Sequence, residues 1–149
     1  MFEIKIKAYQ QVLTVIEDKI ITLKSDLGQL RDSLTNNTKS SAGDKYETST
    51  EMAQHEINKI SVQLAQQSKY RELLKGLKPS EKDNLVKNGS IVRTNIATYF
   101  MGASIGKIEV DNHLIFCVSI VSPIGQQLLN KKVGASIQMN GTQTIEEIA

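Results

Sequence analysis

Residues 2–34, FEIKIKAYQQVLTVIEDKIITLKSDLGQLRDSL, decide the fold of this chain. Their apolar positions recur at alternating spacings of three and four residues: Ile6, Tyr9, Leu13, Ile16, Ile20, Leu23, Leu27, Leu30 and Leu34. Only a helix places side chains at these spacings along one stripe, and so narrow a stripe is typical of a helix that packs against another helix. We therefore predict a long N-terminal helix that requires a helical partner.

The partner helix follows after a short polar interval. Residues 35–43, TNNTKSSAG, contain no large apolar side chain, and their residue types favour turns over helix interiors. Helical spacing then returns along a second series: Ala53, Ile57, Ile60, Leu64, Gln67, Arg71 and Leu74. Because Gly76 and Pro79 end the helical pattern, residues 1–76 are predicted to form an antiparallel two-helix coiled-coil hairpin.

Residues 77–149 change to the shorter period of β-strands. Strands are predicted over five ranges, namely 90–95, 97–101, 113–121, 135–139 and 143–148. Turn signals separate them at Asn88-Gly89, Asp111-Asn112 and Asn140-Gly141, and residues 102–106, GASIG, are also interpreted as a turn. Ser122 as an N-cap and Pro123 at the first helical position predict one short helix. The fold class is therefore α+β, with a small β-rich domain over 77–149.

Composition limits the kind of partner. The net charge is +2, and each predicted domain carries +1 (11 basic against 10 acidic residues over 1–76, and 7 against 6 over 77–149). This balance lacks the basic surface of an autonomous nucleic-acid binder and favours a protein partner. The single cysteine fits a reducing cytoplasm, and no apolar run reaches the length of a membrane span.

Few residues are suited to catalysis. His55 and His113 are the only histidines, and neither has cysteine or carboxylate neighbours at metal-ligand spacing, so no zinc site is predicted. Cys117 lies in the apolar run LIFCV, which indicates a buried and unreactive thiol. The chain is therefore not predicted to be an enzyme.

The sequence between the two helices carries the acidic residues of interest. Gly43, Asp44 and Glu47 form a Gly-Asp-x-x-Glu pattern, with Tyr46 inside it and Glu51 one helical turn further on. Spacing alone favours a helix start in which Asp44 is the N-cap and Glu47 completes a capping box. A functional acidic tip is the alternative interpretation of the same residues.

This pattern resembles the tip of the Gre transcript-cleavage factors of bacterial RNA polymerase. A second resemblance is the segment 121–134, VSPIGQQLLNKKVG, which is similar to the Ser-Pro-Ile segment in the C-terminal half of that family. The family joins an N-terminal coiled coil to an FKBP-like domain. The resemblance therefore implies an FKBP-like domain here, which we expect to dock on polymerase through Ser122, Pro123 and Ile124 rather than to isomerise prolyl bonds.

The resemblance also implies a mechanism. The chain would bind bacterial RNA polymerase, place its tip in the secondary channel and stimulate cleavage of backtracked RNA. Asp44 and Glu47 would supply carboxylates to a Mg²⁺ ion that is shared with the polymerase, with Gly43, Tyr46 and Glu51 supporting the tip. The chain would hold no cofactor of its own and would meet RNA and DNA only within the elongation complex.

Two alternatives remain open. Residues 48–51, TSTE, stand where the family tends to have Asn-Ala-Glu-Tyr, and a relative that differs in this way can occupy the channel and inhibit instead of cleaving. The regular seam of the first helix also fits a coiled-coil adaptor unrelated to transcription. Because that seam begins as early as Ile6, weak self-association at the base of the hairpin is a further expectation.

Overall fold

Two long helices open the chain and a mixed β-sheet follows. The computed structural model describes the backbone of residues 1–37 and 43–149, and the side chains of residues 1–36 and 47–149. The elements are α1 (Phe2–Asn37), α2 (Gly43–Lys75), β1 (Ile91–Thr94), β2 (Thr98–Met101), β3 (Gly106–Val110), β4 (His113–Val118), α3 (Pro123–Leu128), β5 (Ser136–Gln138) and β6 (Thr142–Ile148). The predicted α+β class is confirmed.

One compact unit, Ile16–Lys69, contains most of α1 and of α2. Its core consists of Leu23 and Leu27 from α1 against Ile57 and Ile60 from α2, with three further leucines packed around them: Leu30, Leu34 and Leu64. These are seam positions of both predicted helices, so the two-helix hairpin is confirmed. At about 1.5 Å per residue, the 36 residues of α1 extend over about 54 Å.

The first turns of α1 belong to the second compact unit, Met1–Val15 with Tyr70–Ala149. There the fully buried positions are Lys5, Ala8 and Val12, each one residue before the predicted Ile6, Tyr9 and Leu13, which are only half-buried. The stripe shifts because an α-helix has 3.6 residues per turn, so a strict heptad drifts around it. The first turns of α1 also contact residues after 70, so a wider face of this helix is buried.

The boundary between the two compact units does not coincide with the change from helices to strands. The predicted division of residues 1–76 from 77–149 coincides with the end of α2 at Lys75. Packing instead groups the base of the hairpin with the sheet, because Lys5 and Tyr9 bond to residues 81, 83 and 74. That residues 1–76 form a separate hairpin domain therefore remains a prediction.

The sheet has six strands in the order β3-β4-β2-β1-β6-β5. Among the described strands, β2 and β4 pair in parallel, and the other pairs are antiparallel. One core cluster consists of side chains from the strands, from α3 and from the segment before β1: Val86, Val92, Tyr99, Met101, Ile124, Leu128, Ile137 and Ile145. The central strands β1 and β2 are buried on both faces, since neighbouring residues Ile91 and Val92 are both fully buried.

Strand β3 is a correction to the sequence prediction, which left residues 102–112 without a strand. Gly106–Val110 pairs with His113–Val118 through a hairpin turn at Asp111-Asn112, where both residues have positive φ. Such a turn matches the right-handed twist of two antiparallel strands. Within β3 only Ile108 and Val110 are buried, so the alternation of apolar and polar residues is too short to predict a strand. The preceding glycines favoured a turn instead.

The end of α1 is a second correction. The helix continues to Asn37, three residues into the interval predicted as a turn, and α2 already begins at Gly43. The Thr35 hydroxyl donates a hydrogen bond to the Arg31 carbonyl oxygen at 3.1 Å, four residues back. This bond uses the polar side chain without breaking the helix. Residues 38–42, the remainder of the predicted turn, lie outside the described residues.

Gly28 lies in the interior of α1 on its exposed face. An added Cβ would meet nothing within 4 Å. Because glycine costs up to about 1 kcal/mol relative to alanine inside a helix, we expect Gly28→Ala to stabilise the hairpin by about 0.5–1 kcal/mol. Urea denaturation followed by helical circular dichroism measures the change. Gln29→Ala, which alters helix propensity much less, is the control, and a destabilised Gly28→Ala would contradict the prediction.

Candidate functional site

The predicted acidic tip is described only in part. Glu47 and Glu51 are exposed, on the N-terminal part of α2. The side chains of Gly43, Asp44 and Tyr46 lie outside the described residues. Residues 47 and 51 are four apart, so their carboxylates share one face of the helix. The described part of the tip therefore has two solvent-exposed carboxylates. The roles predicted for Gly43, Asp44, Tyr46, Glu47 and Glu51 remain predictions.

Metal binding by the chain alone finds no support in the described residues. No group of three or more His, Cys, Asp or Glu side chains in them is close enough to hold a metal ion. The exposed carboxylates on α2 are oxygen ligands of the kind that Mg²⁺ prefers, but one or two carboxylates need further ligands from elsewhere.

The Ser122–Ile124 segment is the start of α3. The Ser122 hydroxyl accepts a hydrogen bond from the Gly125 amide at 3.1 Å and donates one to the Ser119 carbonyl oxygen at 2.6 Å. The predicted N-cap and the predicted position of Pro123 are therefore confirmed. Pro123 is exposed, whereas Ile124 is buried in the core. A partner that docks on this segment would meet Pro123 and the neighbouring Val121, which is 73% exposed.

A polar cluster at the base of α1 was not predicted. The Lys5 ammonium donates to the Asp83 carboxylate at 2.9 Å and to the Glu81 carbonyl oxygen at 2.7 Å. Both charged side chains are almost completely buried, at 2% and 1% exposure. The Ser90 hydroxyl donates to the same carboxylate oxygen at 2.7 Å, and the Lys87 ammonium lies 2.7 Å from the other oxygen. Nothing local could reveal this cluster, because Lys5 and Asp83 are 78 residues apart.

The electrostatics of this cluster follow from its contacts. Burial by itself raises the pKa of the Asp83 carboxyl, but hydrogen bonds from Lys87, Lys5 and Ser90 outweigh burial and hold that pKa below its ordinary value. The hydrogen bond with Asp83 in turn raises the pKa of Lys87. Both groups are therefore held in their charged forms at neutral pH.

Tyr9 links the base of α1 to the end of α2. Its hydroxyl donates a hydrogen bond to the Leu74 carbonyl oxygen at 2.7 Å. Burial raises the pKa of the Tyr9 phenol, which keeps it neutral and able to donate. The same carbonyl oxygen also accepts a hydrogen bond from the Leu77 amide at 3.0 Å, so the Tyr9 bond is its second and ties α1 to the end of α2.

The residues judged unsuited to catalysis behave as predicted. His55 and His113 are both exposed. Cys117 is buried, and burial raises the pKa of its thiol to about 12, so the reactive thiolate is not formed at neutral pH. The interpretation of Cys117 as a buried core residue is confirmed, and the raised pKa agrees with a low reactivity.

The aromatic residues of the sheet do not enclose a pocket wall. Tyr99 and Phe100 are buried, and the Tyr99 hydroxyl donates to the Gln143 side-chain oxygen at 3.1 Å. Phe116 is exposed, with its ring centroid 6.1 Å from that of Tyr99. Tyr99 and Phe100 are therefore core residues, and the expectation of a docking module rather than a prolyl isomerase remains a prediction.

Among the residues described, no helix is long and apolar enough to cross a membrane.

Comparison with known proteins gives a likeness in structure. No protein-family model and no curated protein matches this sequence. Among solved structures, the chain is similar to the one titled "Structure of the transcription factor Gfh1", with 16% sequence identity and a TM-score of 0.32. The similarity covers 93% of this chain and 89% of that one.

Proposed function

We propose that this protein is a Gre-like transcription elongation factor. In this proposal it binds bacterial RNA polymerase, inserts its acidic tip in the secondary channel and stimulates cleavage of backtracked RNA. The observation that carries the proposal is the Gly43-Asp44-x-x-Glu47 pattern at the start of a 33-residue helix that packs in a long hairpin. The exposure of Glu47 supports it, because a carboxylate must be accessible to complete a metal site on another molecule.

The division of labour follows from the chemistry. The polymerase would supply the RNA and a Mg²⁺ ion, which when bound would provide Lewis-acid chemistry at the phosphodiester. Asp44 and Glu47 would hold this ion through their carboxylate oxygens, and the packed leucine seam would keep the arm stiff enough to position them. The chain binds no Mg²⁺ alone, and the enzyme is the polymerase.

The sheet-containing part is proposed to be an FKBP-like module that docks on the polymerase surface. Pro123 and Val121 form an exposed apolar pair at the start of α3. The Ser122 cap and the buried Ile124 fix the orientation of this segment. These two residues therefore position the docking segment, and Pro123 makes the contact.

Loss of the tip carboxylates is expected to abolish stimulated cleavage. With stalled, backtracked elongation complexes and Mg²⁺, the wild-type protein should release short 3′ RNA fragments. Asp44→Asn and Glu47→Gln should each slow this release by about 10–100-fold, because each removes an oxygen ligand at the metal without changing side-chain size. Fragment release is measured on sequencing gels, and polymerase binding is measured separately by pull-down.

Glu56→Gln is the matched control, since it removes an exposed carboxylate nine residues further along the same helix. It should cleave like the wild type. Binding that competes with a cleavage factor, without any RNA release, would select the channel-occluding regulator. Failure to bind polymerase at all would select the adaptor unrelated to transcription. Full activity of both tip variants would rule out donated carboxylates.

A further inference from the structure

A cavity of about 280 Å³ lies at the base of α1, within the compact unit Met1–Val15 with Tyr70–Ala149. Its walls come from two regions that are distant in sequence: the first turns of α1, and residues 76–89 between α2 and β1. The polar side chains that line it include Lys5, Tyr9, Lys78, Asp83, Lys87 and Asn88. The proposed transcription function uses none of them.

Positive charge exceeds negative charge on the cavity wall. Lys5 and Lys87 share the single carboxylate of Asp83. The remaining pair, Lys78 and Glu81, is exposed and separated by 3.8 Å, which is beyond hydrogen-bond range. Three ammonium groups therefore face two carboxylates, and one of those carboxylates is already engaged by two cations and a hydroxyl.

The lysines also retain unused donors. An ammonium group has three N–H bonds. Lys5 uses two of them, on the carbonyl oxygen of residue 81 and on Asp83. Lys87 uses one on Asp83. Charge-assisted donors on the wall of a cavity with net positive charge are suited to a compact anion with several oxygens.

The turn at Lys87–Ser90 holds one wall in place. The Ser90 amide donates to the Lys87 carbonyl oxygen at 3.1 Å, and the Lys87 amide donates to the Ser90 hydroxyl at 3.0 Å. Gly89 has φ of +91°, and a Cβ there would lie 2.8 Å from Leu77 Cδ1. The wall is therefore fixed by glycine geometry and hydrogen bonds before any ligand arrives, which reduces the entropy cost of binding.

We propose that this cavity binds a phosphoryl group, either inorganic phosphate or the phosphate of a small monoester. Several terminal oxygens and up to two negative charges match the ammonium donors of the exposed Lys78 and Lys87. Phosphate occupies only part of 280 Å³, so the cavity has room for an attached small alcohol. The buried Lys5–Asp83 pair supports the site, and the two exposed lysines close over the ligand.

Isotope-edited NMR titration of the full chain tests the proposal, with inorganic phosphate and ribose 5-phosphate as separate probes at constant ionic strength. We expect saturable shifts of the amides of residues 76–81 and 87–89, with a dissociation constant of about 1 mM or lower. Tighter binding of ribose 5-phosphate would assign the monoester as the ligand, and equal or tighter binding of phosphate would assign the free ion. Both results support the site.

Lys78→Gln is the diagnostic variant, because Lys78 is 79% exposed and its replacement leaves the buried pair intact. Loss of one charge-assisted hydrogen bond should weaken binding roughly tenfold. Lys82→Gln, an exposed lysine that does not line the cavity, is the charge-matched control and should bind like the wild type. Shifts that do not saturate, or equal weakening in the two variants, would overturn the proposal.

Discussion

Replacing Lys5 by methionine is expected to destabilise the protein by about 3 kcal/mol, measured by urea denaturation. The Lys5–Asp83 ion pair has a separation of 2.9 Å, and both side chains are almost completely buried. Methionine keeps the length of the side chain but removes the charge, so Asp83 keeps Lys87 as its only cation and the carbonyl oxygen of residue 81 loses its donor. Removing one cation from a buried carboxylate and the donor from a part-buried carbonyl are both costly.

Lys7→Met is the matched control for this experiment. Lys7 lies two residues away on α1 and pairs with Asp111 at 2.6 Å, but both side chains are more than half exposed. Water and salt screen such a pair, so its removal should change stability far less. Equal effects of the two methionine substitutions would show that burial does not set the strength of the Lys5 pair.

The pH dependence of stability gives a second measurement of the same pair. The pKa of Asp83 is lower in the folded protein than its ordinary value, which is about 4. The stabilisation that it contributes is therefore complete above the ordinary pKa of an aspartate and is lost as pH falls through the folded pKa. Lys5→Met should reduce this acid-dependent loss, because the native carboxylate has then already lost one of its hydrogen-bond donors.

Gly125→Ala is expected to destabilise the protein by about 3 kcal/mol or more. An ideal Cβ on Gly125 would lie 1.9 Å from the Ser119 carbonyl oxygen. That oxygen belongs to the backbone and also accepts the hydrogen bond from the Ser122 hydroxyl at 2.6 Å, so it cannot move without breaking the cap of α3. Denaturant titration and loss of the exchange protection of α3 amides measure the effect.

Gln126→Ala tests whether that effect is specific to the close backbone approach. Gln126 is the next residue of the same helix and its side chain is exposed. Alanine there keeps the helix backbone and meets no neighbouring carbonyl, so stability should change by no more than about 0.5 kcal/mol. A Gly125→Ala protein as stable as Gln126→Ala would refute the steric argument.

Much of the fold could be predicted from the sequence because the determining interactions are periodic or local. The spacing of Leu23, Leu27, Ile57 and Ile60 predicted the packed hairpin. Ser122 predicted the start of α3, because a cap acts on an amide only three residues away. Asp111-Asn112 and Asn140-Gly141 predicted turns, since both positions require positive φ.

The candidate tip was predicted by resemblance rather than by pattern alone. Spacing alone favoured a helix cap for Asp44 and Glu47, and the resemblance supplied the functional alternative, because both roles use a carboxylate in the first turn of a helix. The structure adds that Glu47 is exposed. The structure also shows that Pro123 lies at the surface and Ile124 in the core. The sequence of the Ser-Pro-Ile segment did not predict this difference.

The sequence by itself thus determined the helices, their seam, the sharp turns and the α3 cap, since each depends on side chains within a few residues of one another. Only the tertiary structure decided the order of the strands, the parallel pairing of β2 with β4, and the partnership of Lys5 with Asp83. These contacts join residues whose sequence separation has no period, and the stability of a buried charge depends on which distant group reaches it. The cavity that we assign to a phosphoryl group exists for the same reason.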